Sequence, residues 1–244
     1  MSGHSKWATT KHKKAVIDAK RSKVFTKVAK LITIAARDGK SGDPVMNPSL
    51  RLAIDNAKAV GVPKDNIDRA IKRGMGGLDG GAQLEEVAYE AYLPGGVAIL
   101  IECLTDNKNR ALAEIKAILN KNGGSFASSG SVAYLFKKTG QIVLDAENSS
   151  KTAEEIELDI IDSGATNYEK DENLYIIICD VAELNGVKTT LERKNYTVLS
   201  TEIVFLPLLS IEVSDGKKEV VEKTMENLDD LDDVNNVYSN ASVA

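Results

Sequence analysis

The chain has 244 residues, of which 43% are apolar and 27% are charged, and its formal net charge is −5. This composition is typical of a globular protein and excludes a collagen-like, mucin-like or fully disordered chain. The length favours two or three domains over one. An evenly spread negative charge would argue against a nucleic-acid partner, so the distribution of charge along the chain matters.

Charge is strongly polarised along the chain. Residues 1–77 contain 17 Lys and Arg against six Asp and Glu, a net charge of +11, whereas residues 78–244 carry −16. Five glycines lie between Gly74 and Gly81, at the boundary between the two segments, and predict a flexible hinge. The small net charge therefore hides one basic segment and one acidic segment.

The basic segment is predicted to form a bundle of helices. Residues 20–36 put lysines on one helical face and apolar residues on another, and Gly39 ends this helix. A second helix is predicted over Pro48 to Val60, with Asn47 as its N-cap. A third is predicted to start near Pro63 and Lys64 and to end at Gly74.

The acidic remainder begins with a predicted hairpin. Two strands, Val87 to Tyr92 and Val97 to Cys103, flank the turn signal Pro94-Gly95-Gly96. An amphipathic helix over Asn109 to Leu119 follows, and then a strand over Ser131 to Phe136.

The elements from about residue 138 to residue 207 have the order βαββαβ, which is the ferredoxin-like pattern. They are predicted, in chain order, at Gln141–Leu144, Ala153–Asp162, Thr166–Glu169, Leu174–Cys179, Val181–Arg193 and Thr197–Phe205. A helix over Lys217 to Leu228 and a strand over Val234 to Tyr238 complete the chain.

These elements predict an α+β multidomain protein. It comprises an N-terminal three-helix-type bundle and two ferredoxin-like α+β domains, the second inserted into the first. The predicted limits are residues 1–77 for the bundle, 78–137 and 208–244 for the split domain, and 138–207 for the inserted domain.

Cellular location is predicted from three further features. The basic start of the chain lacks the apolar core of a secretory signal, and no run reaches the ~18 apolar residues that span a bilayer. The two cysteines, Cys103 and Cys179, have no Cys or His neighbour at ligand spacing. We expect two buried structural thiols and a cytoplasmic protein.

No group of residues in the sequence supports catalysis. Both histidines, His4 and His12, lie in the basic N-terminus without further metal ligands nearby, and a His-based triad needs a histidine on a rigid scaffold. The glycines at 74–77 lack phosphate-loop spacing. The acidic clusters at 154–157 and 229–233 are interpreted as solvated helix faces and ends. We expect no enzymatic activity, cofactor, metal or small-molecule substrate.

The basic segment is the candidate functional site. Lysines on one helix face can contact successive phosphates, and Trp7, the only tryptophan, can stack on a base. The alternatives are a solvated helix face with Trp7 packed on the bundle, and a membrane-surface helix. The predicted nucleic-acid-binding residues are Lys6, Trp7, Lys11, His12, Lys13, Lys14, Lys20, Arg21, Lys23, Lys27, Lys30, Arg51, Arg69, Lys72 and Arg73.

Motifs spread over nearly the whole chain carry a family resemblance. They are GHSKW (Gly3 to Trp7), NPSLRLAIDNAK (Asn47 to Lys58), IDRAIKRG (Ile67 to Gly74), ECLTDNKNR (Glu102 to Arg110), GSVAYLF (Gly130 to Phe136) and DDVNNVYSN (Asp232 to Asn240). In this order they resemble the YebC/PmpR family, which also includes the mitochondrial translational activator of cytochrome c oxidase. The chain departs from the family at Ala91 and Leu93, where glycine is usual, and we expect these residues to stiffen the hairpin turn.

The resemblance implies a helical bundle followed by two α+β domains. Family members are described as probable transcriptional regulators that bind DNA, and others as translation factors that act on ribosomes. The prediction is therefore a regulator of gene expression that binds DNA through its basic domain. The alternative is a ribosome-associated translation factor that binds ribosomal RNA or tRNA through the same domain. A third hypothesis is an interaction scaffold without nucleic-acid contact, in which the basic and acidic domains pair within or between molecules. No membrane partner is expected.

Overall fold

Helices form the first part of the chain, and two antiparallel sheets form the core of the rest. The computed structural model describes residues 18–77, 84–147 and 149–242, with side chains from Lys23 onward. The helices are α1 (Asp18–Asp38), α2 (Pro48–Ala59), α3 (Lys64–Gly74), α4 (Lys108–Lys121), α5 (Ala153–Asp162), α6 (Leu184–Arg193) and α7 (Asp215–Asp229). The strands are β1 (Glu85–Leu93), β2 (Val97–Thr105), β3 (Ser125–Ala127), β4 (Phe136–Asp145), β5 (Asn167–Asp171), β6 (Leu174–Cys179), β7 (Thr197–Pro207), β8 (Ile211–Glu212), β9 (Val234–Ser239) and β10 (Ala241–Ser242).

The three predicted helices of the basic segment are confirmed as α1, α2 and α3. They bury one common core, to which Ile32 and Leu50 contribute fully buried side chains. Asn47 caps α2 as predicted, because its side-chain oxygen accepts the Leu50 N–H at 3.0 Å. Its amide group also donates to the Ala35 carbonyl oxygen at 2.7 Å, which ties the start of α2 to α1.

Gly74 allows α3 to approach α1 closely. A Cβ at this position would lie 2.8 Å from the Ala36 Cβ and would clash with the Thr33 carbonyl oxygen. Thr33 also donates its hydroxyl to the Ala70 carbonyl oxygen at 3.2 Å. The predicted hinge is therefore wrong at its first residue, because helix packing fixes Gly74. Residues 78–83 of that hinge lie outside the described residues.

The first sheet has the strand order β3-β1-β2-β9, and every pairing is antiparallel. The predicted hairpin is confirmed, with Leu93 opposite Val97 across the Pro94-Gly95-Gly96 turn. α4 and α7 pack on this sheet in one core. Ala91 and Leu93 are buried strand residues of that core. Leu93 is also the first residue of the turn, because its carbonyl oxygen accepts the Gly96 N–H at 3.2 Å. The expectation that the two residues stiffen the turn stays a prediction.

The predicted strand from Ser131 to Phe136 is wrong. The segment makes a 3-10 turn over Ala133–Leu135, and β4 begins only at Phe136. The cause is Glu90 on β1, whose buried carboxylate accepts the backbone N–H groups of Gly130 at 2.6 Å, Ala133 at 3.0 Å and Val132. Since these groups bond a side chain, they are not available for a strand ladder.

The second sheet has the strand order β5-β6-β4-β7, with α5 and α6 connecting its strands. The predicted βαββαβ order is confirmed, although the helix predicted from Val181 begins with a short 3-10 turn before Leu184. A separate apolar cluster that includes Leu100, Phe136 and Tyr238 joins this sheet to the first one. The predicted limits of the three domains stay predictions.

The helical part also contacts the second sheet and its helices. The Asn56 side-chain amide on α2 donates to the Thr201 carbonyl oxygen at 2.7 Å, and the Thr201 N–H donates to the Asn56 side-chain oxygen at 3.3 Å. Lys188 on α6 forms an ion pair with Asp55 at 2.8 Å. These contacts hold α2 against β7 and α6. In the described part of the chain, no helix is both long and apolar enough to cross a bilayer.

Replacing Glu90 by Gln should destabilise the protein by about 1–3 kcal/mol, because buried N–H donors would face an amide NH2 group. Burial alone would raise the pKa of the Glu90 carboxyl, but the backbone N–H donors lower it below the ordinary value of 4.5. The wild type should therefore have this stabilisation in full above pH 4.5 and lose it as the pH falls through the lowered pKa. Urea unfolding between pH 7 and pH 3 measures both effects.

The matched control for this prediction is Glu147→Gln, at an exposed carboxylate. It should change the free energy of unfolding by no more than about 0.5 kcal/mol. Equal stabilities and equal pH profiles for the two variants would contradict the role assigned to Glu90.

Candidate nucleic-acid interface

The lysines of α1 contact the acidic end of α7. Lys23, Lys27 and Lys30 are spaced four and three residues apart, so they share one helix face. We call these three residues the lysine ladder. All three contact residues 229–233, the last residue of α7 and the four that follow, which we call the acidic segment.

Lys30 occupies the innermost position of the ladder. Its ammonium group donates to the carbonyl oxygens of Asp232 at 2.8 Å and Leu104 at 3.1 Å, and to the Asp233 carboxylate at 3.1 Å. Three oxygen acceptors satisfy the three donors of a lysine. The geometry joins α1 to the end of β2 and to the segment before β9.

Asp233 is the acceptor at the centre of this contact. Its side chain is only 4% exposed, and its second oxygen accepts from the Arg110 guanidinium at 2.7 and 3.0 Å. Burial alone would raise the pKa of the Asp233 carboxyl, but hydrogen bonds from Arg110 and Lys30 hold it below its ordinary value. The carboxylate therefore stays charged and paired at neutral pH.

The other two lysines cap the C-terminus of α7. Lys27 donates to the Asp229 carbonyl oxygen at 2.6 Å and to its carboxylate at 3.1 Å. Lys23 donates to the Asp230 carbonyl oxygen at 3.0 Å. A helix C-terminus exposes carbonyl groups and carries partial negative charge, which the acidic side chains here increase. Cations from α1 offset that charge.

The interpretation of residues 229–233 as a solvated acidic cluster is therefore wrong for Asp229 and Asp233, whereas Asp230 and Asp232 are exposed as expected. Asp233 is buried and Asp229 is partly buried because lysines and an arginine from other elements pair with them. Sequence reasoning also missed Arg110, which lies 123 residues from its partner Asp233. The sequence feature that could have pointed to the pair is that Arg110 and Asp233 both lie in motifs that carry the family resemblance.

Four other predicted binding residues lie on α2 and α3, and their side chains are exposed. They are Arg51, Arg69, Lys72 and Arg73. Within the described residues, none of the four forms an ion pair. Arg69 and Lys72 line an open depression of about 320 Å³ together with Asp65 and Asp68. α3 thus offers cationic side chains that the fold leaves unused.

The other eight predicted binding residues have side chains outside the described part of the chain. Lys6, Trp7, Lys11, His12, Lys13 and Lys14 lie outside the described residues, as do the side chains of Lys20 and Arg21. The predictions for them stay predictions.

The described residues offer no competing metal or thiol site. None of their His, Cys, Asp and Glu side chains form a group of three that could hold a metal ion. Cys103 and Cys179 are buried free thiols, as predicted. Burial raises the pKa of Cys103 to about 12 and that of Cys179 to about 11, so both stay protonated at neutral pH.

A four-residue polar cluster in the second sheet region has a structural role. Asp159 on α5 accepts from Lys151 at 2.6 Å, from the Tyr196 hydroxyl at 2.7 Å and from Lys194. Hydrogen bonds from the two lysines lower the pKa of the Asp159 carboxyl well below its usual range. The cluster fastens α5 to the turn between α6 and β7, and all its groups are satisfied.

Replacing Asp233 by Asn should lower the free energy of unfolding by about 3–5 kcal/mol, because it leaves Lys30 and Arg110 without a buried counter-charge. Asp106 pairs with the same Arg110 at 2.8 Å but is 40% exposed, so Asp106→Asn should cost no more than about 1 kcal/mol. Chemical denaturation at pH 7 measures both. A loss for Asp233→Asn no larger than that for Asp106→Asn would contradict the buried ion pair.

Comparisons with known proteins agree with this architecture. The model of the TACO1/YebC protein N-terminal domain matches residues 5–77, and that of the TACO1/YebC second and third domain matches residues 84–241. Together the two models cover the basic segment and both sheets.

Individual relatives match over nearly their full length. A protein of Thermobifida fusca is 46% identical over 243 residues, and one of Halothermothrix orenii is 45% identical over 244. Each alignment covers all of this chain and 96% of the relative, and both proteins are named "Probable transcriptional regulatory protein".

A solved structure has the same fold. The crystal structure of a conserved hypothetical protein from Aquifex aeolicus matches with a TM-score of 0.87 and 37% identity, over 93% of this chain and 92% of the other. The resemblance noted in the sequence motifs is therefore confirmed, and the chain belongs to the TACO1/YebC family.

Proposed function

We propose that this protein is a non-enzymatic, cytoplasmic regulator of gene expression that binds DNA through its basic N-terminal domain. The observation that carries the proposal is the division of cations within that domain. The lysine ladder has oxygen partners inside the protein, whereas Arg51, Arg69, Lys72 and Arg73 are exposed and have no ion pair within the described residues. Family membership and the names of the curated relatives support the same role.

The binding mechanism is electrostatic. Exposed Arg and Lys side chains contact phosphate oxygens, and each contact releases counterions from the nucleic acid. Guanidinium groups such as those of Arg69 and Arg73 can engage two phosphate oxygens at once. The acidic remainder of the chain repels the backbone, so the nucleic acid meets the protein from one side.

Sequence readout is expected to be weak. Recognition of base edges needs Arg, Asn or Gln side chains directed into a groove. The polar face of α1 carries lysines, and three of them contact the acidic segment. A defined promoter should therefore bind less than ~1,000-fold more tightly than random duplex at the same salt concentration.

The same observation favours a second candidate function, a translation factor that binds ribosomal RNA or tRNA. While the ladder is docked on the acidic segment, α1 cannot present that face to the major groove of a duplex. A strongly basic segment joined to an acidic body suits insertion of the basic end into an RNA cavity. Both candidates use the same residues, and they differ in the target.

Neutralising α3 should reduce the salt dependence of binding. In the variant Arg69→Gln/Lys72→Gln/Arg73→Gln, the slope of log K against log salt for a 20-bp random duplex should become shallower by about 2–3, since each lost phosphate contact removes ~0.9. Fluorescence anisotropy at several salt concentrations measures this slope. Co-sedimentation with ribosomes, using the same variant, measures the alternative target.

The control variant is Lys121→Gln/Lys217→Gln/Lys223→Gln. It makes the same change in charge at three exposed lysines in the acidic remainder of the chain. Its slope and its co-sedimentation should match those of the wild type. Equal losses in the two triple variants would mean that net charge, not the α3 surface, governs binding. The translation factor would be favoured if the wild type shows no measurable binding to the duplex and the α3 triple variant no longer co-sediments with ribosomes.

A further inference from the structure

We propose that the acidic segment is an internal competitor for nucleic acid, which masks the outer part of the lysine ladder as a second phosphate-binding surface. The inference rests on the proposed function and adds regulation to it. In this account, nucleic acid bound at the N-terminal end of α1 displaces the acidic segment from Lys23 and Lys27, while Lys30 stays docked on Asp233.

The acidic segment offers the ladder the same kind of ligand as a nucleic-acid backbone. Lys23 and Lys27 contact anionic or carbonyl oxygens at 2.6–3.1 Å, which is the geometry of an ammonium on phosphate oxygens. The segment carries four carboxylates within five residues. Both ligands need the same donors, so they exclude each other at these two lysines.

Burial decreases along the ladder toward the start of α1. The side chains of the Lys30–Asp233 pair are 18% and 4% exposed, those of Lys27–Asp229 are 16% and 27%, and those of Lys23–Asp230 are 44% and 48%. Exposed ion pairs are weak and are screened by salt. Separating a buried pair costs more free energy, because it leaves two charges without a partner away from water. The contact should therefore open from Lys23 inward and stop at Lys30.

The outer end of the ladder is continuous with the predicted binding residues. Lys20 and Arg21 precede Lys23 in the same helix. A polyanion bound at the start of α1 would lie beside the weakest ion pair. Each lysine that changes partner would then add one phosphate contact.

The direct test neutralises the outer partners and keeps Asp233. The variant Asp229→Asn/Asp230→Asn keeps the backbone carbonyl oxygens but removes the two carboxylates, which weakens the hold of the acidic segment on Lys23 and Lys27. It should bind a 20-bp random duplex with a slope of log K against log salt that is steeper than wild type by about 1–2, because up to two lysines then change partner at ~0.9 each. The control is Glu219→Gln/Glu222→Gln, which makes the same charge change at exposed positions of the same helix. Its slope should equal that of the wild type.

A second measurement uses the unmodified protein and does not depend on how the variants fold. Addition of the duplex should accelerate hydrogen exchange at the last-turn amides of α7, residues 226–230, because displaced lysines no longer cap that turn. Amides of α4 serve as the internal reference and should not change. Slower or unchanged exchange at residues 226–230 in the bound protein would overturn the inference.

The outcomes separate the inference from the proposed function. If the wild type binds the duplex and the two double variants have equal slopes, the proposal of an internal competitor is wrong and the proposed binding function stands. If neither the wild type nor the Asp229→Asn/Asp230→Asn variant binds duplex DNA or a 20-nucleotide RNA, both are wrong. A steeper slope only in that variant, with faster exchange in the wild type, supports both.

Discussion

A carboxylate that is removed from water needs cationic partners, and Asp233 obtains one of its two from a helix 203 residues earlier in the chain. That helix, α1, is thereby fixed against the end of β2 and the end of α7. The positions of α2 and α3 follow from that of α1, because Gly74 lets α3 pack against α1 and Asn47 forms a hydrogen bond that ties α2 to it. The basic and acidic parts of the chain are consequently joined by charge pairs, in addition to the apolar packing within each part.

This arrangement changes the meaning of the charge distribution. A net +11 beside a net −16 suggests one surface for phosphates and another that avoids them. Part of the basic face is instead neutralised within the molecule. Among the described residues, Arg51 on α2 and Arg69, Lys72 and Arg73 on α3 are exposed and form no ion pair. The hypothesis of a scaffold with paired basic and acidic domains correctly anticipates an internal contact. That contact and nucleic-acid binding are compatible at most positions, since Lys30 stays paired with Asp233 while the exposed cations of α2 and α3 are left for a partner. The two compete only at Lys23 and Lys27.

Local sequence patterns predict the elements whose stability is local. The helices over 48–59, 64–74 and 153–162, the hairpin at Pro94-Gly95-Gly96 and the βαββαβ order all follow from periodicity, caps and turn residues. The failures share a different cause, which is a partner distant in sequence. Glu90 accepts the backbone N–H groups of a segment that alternation predicts as a strand. The lysine ladder pairs with an acidic run that resembles a solvated surface, and Asp233 of that run is buried. No property of those segments taken alone identifies the residue that contacts them.

A double-mutant cycle between Lys30 and Asp233 measures whether coupled charges hold α1 to the acidic part of the chain. The variants Lys30→Gln, Asp233→Asn and their combination would be compared with the wild type by chemical denaturation at pH 7. We expect a coupling free energy of about 1–3 kcal/mol between the two positions, because each loses its partner in either single variant. Effects that add to within about 0.5 kcal/mol would contradict it, since independent sites behave in that way.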